Sequence, residues 1–284
     1  MIERQNRQPL FCDIDMAARI EWAEAQLIAL ASASATRRRT DTAGFVTRVA
    51  GGVASFVEAG SPFNKVAGLG FHGTPCAADL DAIEQAFAAR GEPVQIELAH
   101  LADPSIGELL TGRGYRLVSF ENVLGLALRD EPERVTPPGI EIRLSGDDEF
   151  EAWLDVVVDG AAHPDTQGVP THEDFPRDIV EKAERDFVAA GVRPYLALRD
   201  GAFAGGGSLH MADGVAQLTG AATAPEHRRR GVQTALLSAR LADAAAAGCD
   251  VAVVTTQPGS KSQQNVQRRG FDVLYTRAIL LKRP

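Results

Sequence analysis

Apolar residues recur along this chain at two periods, and their alternation outlines the elements. Between Asp13 and about Arg39, Ile20, Ala23, Leu27, Leu30 and Ala31 share one helical face. Phe45 to Val49 and Val53 to Glu58 read as short strands around the turn Gly51-Gly52. Phe63 to Phe71 reads as a third strand running into the glycine-rich Gly68-Leu-Gly-Phe-His-Gly73. Leu80, Ile83, Ala86 and Phe87 predict a helix over 78–90, stopped by Gly91. Val94 to Leu98 alternates as a strand, 105–113 is a short helix, and 115–128 is a long final strand.

The pattern then starts again. Residues 129–139 carry charge and prolines (Asp130-Glu-Pro-Glu, Pro137-Pro-Gly) and read as a linker. Ile140 to Leu144 is a strand, and Phe150, Trp153, Leu154, Val157 and Val158 mark a helix over 148–160. A loop from His163 to His172 precedes a helix with Phe175, Ile179, Ala183 and Phe187 four apart. A hairpin turns at Arg199-Asp-Gly201. A strand ends at Pro225, which has no N–H to donate, and a basic turn and an amphipathic helix follow. Cys249 to Thr256 is a buried strand, 262–269 a short helix, and 271–281 a closing strand. Both halves end in strand, helix, strand, short helix, an Arg-Gly-aromatic turn (Arg113-Gly114-Tyr115; Arg269-Gly270-Phe271) and a long strand.

Composition narrows the class. With 284 residues, 45% apolar and 24% charged, the chain suits two domains of about 140 residues each. No apolar run approaches the ~18 residues that span a bilayer. Cys12, Cys76 and Cys249 form no disulfide framework and no CxxC metal pattern, which points to a reducing, cytoplasmic setting and no metal. A net charge of −9 argues against nucleic acid as partner. The charge is unevenly spread: residues 136–225 net −10, and residues 226–284 net +6. The basic end fits a polyanionic ligand, and the acidic middle would favour a cationic acceptor if it lined a pocket.

The sharpest chemistry lies in Leu218-Thr-Gly-Ala-Ala-Thr-Ala-Pro-Glu-His-Arg-Arg-Arg-Gly-Val-Gln-Thr. A helix start has free N–H groups and a positive dipole end, and Arg228, Arg229 and Arg230 stand beside this one. Phosphate is the matching guest. The stretch resembles motif A of the GNAT superfamily of N-acyltransferases, Arg/Gln-x-x-Gly-x-Gly/Ala. Arg228 and Gly231 fit, and Gln233 stands where the second small residue is usual.

The resemblance implies an α/β (α+β) fold of two tandem GNAT-like domains, each a central mixed, mostly antiparallel sheet flanked by helices. They would span 1–130, without the coenzyme A motif, and 140–284, joined by 131–139. It implies an acetyl-CoA-dependent N-acetyltransferase in which an amine of a small molecule or peptide attacks directly. Ala222, Thr223 and Ala224 would hold pantetheine through backbone groups, with an oxyanion donor near Thr223. Arg228, Arg229, Arg230, Gly231, Val232, Gln233 and Thr234 would wrap the pyrophosphate, with Ser262 and Asn265 reaching the cofactor. In this family the fourth and fifth strands splay, and Gly220 suits such a bulge.

One departure stands out. Many members place a tyrosine, as acid for the leaving thiolate, where this chain has Val266, which leaves Tyr275 as a stand-in. A thiol of pKa about 8.5 is a tolerable leaving group without help. An amine of pKa about 10 needs a base, and His163, His172 and His210 are the candidates. The alternative function is a non-catalytic acyl-CoA-binding regulatory module. In the first half, Gly70-Phe-His-Gly-Thr-Pro-Cys76 replaces the phosphate turn, and Arg37-Arg38-Arg39 reads as a solvated helix end. A monomer and a homodimer fit equally.

Overall fold

The structure, a computed structural model, describes residues 8–39, 43–128, 134–163, 167–169, 173 and 175–284. The first half contains α1 (Ile14–Arg38), β1 (Phe45–Val49), β2 (Gly52–Phe56), β3 (Lys65–Ala67), α2 (Ala77–Ala88), β4 (Val94–Ala99), α3 (Ser105–Gly112) and β5 (Arg116–Ala127). The second contains β6 (Ile140–Leu144), α4 (Phe150–Ala162), α5 (Arg177–Ala189), β7 (Arg193–Arg199), β8 (Ala202–Ala212), β9 (Val215–Gln217) and β10 (Ala221–Thr223). It ends with α6 (Val232–Ala246), β11 (Val251–Thr256), α7 (Lys261–Arg268) and β12 (Asp272–Lys282).

Two strands differ from the sequence pattern. The strand expected over 63–71 shrinks to three residues, because Gly68 and Gly70 adopt φ of 72° and 94°, outside extended backbone. The strand expected to end at Pro225 is split into β9 and β10 around Leu218–Gly220.

All twelve strands join one mixed, mostly antiparallel sheet, in the order β1-β2-β3-β4-β12-β5-β11-β9-β8-β7-β6, with β10 added alongside β8. The final strands are exchanged. β12, from the chain's end, pairs with β4 of the first half from Arg277 opposite Ala99 to Lys282 opposite Val94. β5, from the first half, pairs with β11 of the second from Val251 opposite Ala127 to Thr256 opposite Asn122. β5 and β12 also pair with each other. Each half therefore covers an edge that the other would leave open.

The helices divide between the faces. α2 and α3 pack on Ile96 and Leu280, and α6 with Val266 of α7 packs on Leu124 and Ala252. On the opposite face α1 covers Ala99, Val123, Val215, Val251 and Tyr275, beside α4 and α5. Among the described residues no helix is long and apolar enough to cross a membrane.

Helix α1 starts at Asp13, whose side chain accepts from Met16 N–H, and it ties the halves together. Arg19 pairs with Asp250 at 2.8 Å, and Glu24 accepts from Gln217 Nε2 at 2.9 Å. At its far end Arg38 and Arg39 grip the buried Asp186 of α5 at 3.0 and 2.6 Å. This corrects the solvated helix end expected for 37–39: a carboxylate without water needs cations, and these two supply them.

The central tie is buried. Glu21 Oε1 accepts from both Tyr275 Oη and Arg277 Nε, each at 2.7 Å. Glu21 and Arg277 are 1% and 2% exposed. Replacing Glu21 with alanine leaves the guanidinium buried beside an empty space. Glu21→Ala is expected to lower unfolding stability by about 3–5 kcal/mol, measured as a fall in urea midpoint without a change in slope.

Candidate active site

The site begins where two strands part. β9 runs parallel to β11 from Val215 opposite Val251 to Gln217 opposite Val253. Leu218 N–H then donates to Val253 C=O at 2.9 Å. Beyond that point β10 pairs with β8 and not with β11. A slot opens between them. Gly220 and Ala221 on one side and Thr255 on the other are exposed, although Thr255 lies at the centre of the sheet.

The parting has a local cause. Ser208 N–H is shared between Thr219 C=O and Gly220 C=O, at 3.1 and 3.0 Å, so two residues oppose one: a bulge. Gly220 sits in it at φ 30°. The opposite strand carries Gly205-Gly206-Gly207, where added Cβ atoms would stand 2.7 Å from Ala222 O, 2.7 Å from Trp153 Nε1 and 3.0 Å from Arg240 Cζ. A Cβ on Gly160 of α4 would stand 2.2 Å from Ala222 Cβ. The missing side chains let α4, β8, β10 and α6 close on one another tightly enough to fix the bulge.

Arg240 of α6 lies directly beneath. It is 2% exposed, and Nη1 donates to Ser208 C=O at 3.0 Å and Thr219 C=O at 3.4 Å. Its pKa is pushed down to about 10 by burial, so it remains charged at neutral pH. At the bulge a cation meets Ser208 C=O and adds a second bond to Thr219 C=O, which also accepts from Ser208 N–H.

Backbone direction follows from the pairing. Ala224 N–H donates to Ala204 C=O, and Gly220 C=O accepts from Ser208. Antiparallel bonding alternates, so residues 220, 222 and 224 are committed to β8. Ala221 and Thr223 present their backbone groups to the slot. Four hydroxyls here are buried without a partner: Ser208, Thr219, Thr223 and Thr256. Such groups are costly unless something meets them.

Past β10, Pro225–His227 forms one 3-10 turn. Arg229 and Gly231 both adopt left-handed backbone, at φ 61° and 88°. For Arg229 this costs about 1 kcal/mol. Successive turns of this kind direct N–H groups into a common concavity. Gly231 contributes no side chain to cap α6, so the N–H groups of Val232, Gln233 and Thr234 stay available. A Cβ on Gly231 would stand 2.8 Å from Pro137 Cγ.

The expected site residues fall in different places. Arg229 and Arg230 are exposed at the turn. Arg228 reaches back instead, donating from Nε to Thr223 C=O at 3.4 Å and from Nη2 to His163 C=O at 2.8 Å. His163 is exposed at the end of α4, with Nδ1 2.9 Å from Asp159 C=O. His210 is buried, with Nδ1 2.9 Å from Gln217 Oε1, which leads on to Glu24. Tyr275 is buried with its hydroxyl committed to Glu21. On α7, Ser260 is the N-cap, Ser262 is exposed and Asn265 half-buried. Val266 belongs to the core. His172, Asp165 and Asp174 lie outside the described residues.

Sequence reasoning passed over Arg240 and Glu184. Glu184 of α5 is a half-buried carboxyl whose Oε1 lies 3.2 Å from the point where a Cβ on Gly220 would stand. Its pKa is pushed up to about 7 by burial alone. The signal was available: Glu184 follows Val180 by one helical turn and so interrupts an apolar stripe.

Residues 160–271 match the family model described as Acetyltransferase (GNAT) family. The whole fold is similar to a GCN5-related N-acetyltransferase from Kribbella flavida, at 21% identity over 94% of this chain and 95% of that one, with a TM-score of 0.64. It is also similar to a tandem GNAT protein from the clavulanic acid biosynthesis pathway, at 15% identity over 97% of both chains, with a TM-score of 0.58. A GCN5-related N-acetyltransferase from Sphaerobacter thermophilus aligns over 73% of this chain and 66% of that one, at 18% identity and a TM-score of 0.53. No curated protein shows a matching sequence. The chain therefore carries, over residues 160–271, a domain of the GNAT acetyltransferase family within a GNAT-like fold that spans its whole length, and it is an acyltransferase.

Proposed function

We infer that the protein is an acetyl-CoA-dependent N-acetyltransferase whose acceptor is an amine of a small molecule or peptide. The observation that carries this is the slot between β10 and β11, where the two strands do not bond to each other, with unpartnered buried hydroxyls on the strands around it and an uncapped helix start at one end. Pantetheine carries amides that match these groups, and the pyrophosphate matches the turn at Arg229–Gly231 and the first N–H groups of α6. Acetyl-CoA would supply the acyl group as a thioester. This chain's residues would hold it and direct Thr223 N–H at the carbonyl oxygen as negative charge develops there.

The assignment of Ala222 and Ala224 narrows to packing, because their backbone groups serve β8. Arg228 belongs to the frame that links α4 to β10, and Arg229 and Arg230 are the cations left for phosphate. Among the described residues the first half shows no matching turn. Asp79 accepts from Cys76 N–H at 2.9 Å, so a carboxylate occupies the start of α2, the place corresponding to the phosphate turn.

Two outcomes check the cofactor. Gly231→Val forces a branched side chain into left-handed backbone and against Pro137, and is expected to abolish the rise in melting temperature produced by acetyl-CoA. Arg229→Glu with Arg230→Glu changes only exposed side chains. It is expected to leave melting of the free protein unchanged while weakening acetyl-CoA binding about tenfold or more, since each charge-assisted bond contributes about 1.5–3 kcal/mol. Unchanged affinity in both variants would sink the assignment. Thiol release measured with acetyl-CoA and a panel of aliphatic, aromatic and peptide amines tests the transfer. Binding without release on any amine would favour the non-catalytic module.

A further inference from the structure

On α5 the charged side chains are paired, with one exception. Arg177 meets Asp155, Asp159 and Glu181. Lys182 meets Asp178 and Glu58, Arg185 meets Glu151, and Asp186 meets Arg38 and Arg39. Glu184 has no cation among the described residues. It is also the α5 charge turned to the bulge, over Gly220 and beside the unpartnered Ser208 hydroxyl. A Cβ at 220 would crowd this carboxyl.

We propose that Glu184 is the catalytic base that receives the acceptor's ammonium group and takes its proton. The inference rests on the transferase reading above. The acceptor enters from the α1–α5 face, over Gly220, Ala221 and Thr255. One ammonium proton passes to the carboxylate, and the freed lone pair forms the C–N bond at the thioester carbonyl. The C–S bond breaks with its electron pair on sulfur. Nitrogen sheds its second proton to water, and the thiolate takes back the proton held by Glu184. This cycle needs no tyrosine at position 266. His210 of β8 and Glu24 of α1 are engaged with Gln217. Neither contributes to the Glu184 shift, which comes from burial.

The sign of the pH effect follows. A base works when deprotonated, so kcat/KM should rise with pH through about 7 and then level. Glu184→Gln keeps the shape and should retain the acetyl-CoA thermal shift. It should lose about 10²–10⁴-fold in kcat/KM at pH 7 and lose the limb near 7, its rate following the acceptor's own ionisation. A carbon-13 carboxyl titration of the free protein gives a readout independent of turnover: two resonances with midpoints near 7, from Glu121 and Glu184, of which Glu184→Gln removes one. A midpoint near the ordinary glutamate value of about 4.3, or transfer by Glu184→Gln within about threefold of wild type, overturns the proposal and leaves the transferase reading standing. A wild type that binds acetyl-CoA and transfers to no amine overturns both.

Discussion

The exchange of β5 and β12 is the constraint on which the rest depends. Each half supplies the strand that closes the other's sheet, so two similar units form one twelve-stranded surface. The exchange also holds β11 from one side. With β5 bonded along its whole length, β11 stays with β5 past Val253 while β10 turns away to β8. The slot is therefore a product of both halves, even though the residues matching the family model lie in one.

Holding such a slot open has a cost that the sequence meets in an unusual way. Strands that part leave carbonyls without partners. Here a buried guanidinium, Arg240, meets that of Ser208 and shares that of Thr219 with Ser208 N–H. A cation without a carboxylate is expensive to bury. Burial lowers its pKa to about 10, which still leaves it charged in the working range. The glycines at 160 and 205–207 have no local turn role. They are small because Ala222, Trp153 and Arg240 occupy the space a side chain would need.

Much of this was legible from spacing. Helix and strand positions followed the apolar periods, and the basic turn stood out through Pro225, the arginines and Gly231. The exchange was not legible, because two long terminal strands of similar pattern carry no mark of which sheet they join. Nor was the division of labour among arginines. Arg228, Arg229 and Arg230 are alike in sequence, yet left-handed backbone at Arg229 sends them in different directions. The histidines drew attention by chemical type, but His210 is held by a glutamine and His163 sits on the outside. Glu184 was hidden among acids on a charged helix. Its difference is the absence of a partner, which only packing reveals.

That difference also changes what the acidic middle segment means. A net of −10 over residues 136–225 suggests a broad field drawing in cations. Seven of the segment's acids are instead tied up locally. Arg143 takes Glu141 and Glu149, and Arg177, Lys182 and Arg185 take Asp155, Asp159, Glu181, Asp178 and Glu151. Exposed pairs of this kind contribute little to stability and are screened within about a Debye length in salt. A preference for an ammonium acceptor must then come from a carboxylate that is both unpaired and shielded from water, where each charge counts for more. Glu184 has no cation among the described residues, and its half-buried carboxyl is partly shielded. The same desolvation that raises its pKa makes an incoming ammonium a better partner than water, so binding the acceptor and preparing its proton for transfer are consequences of one burial.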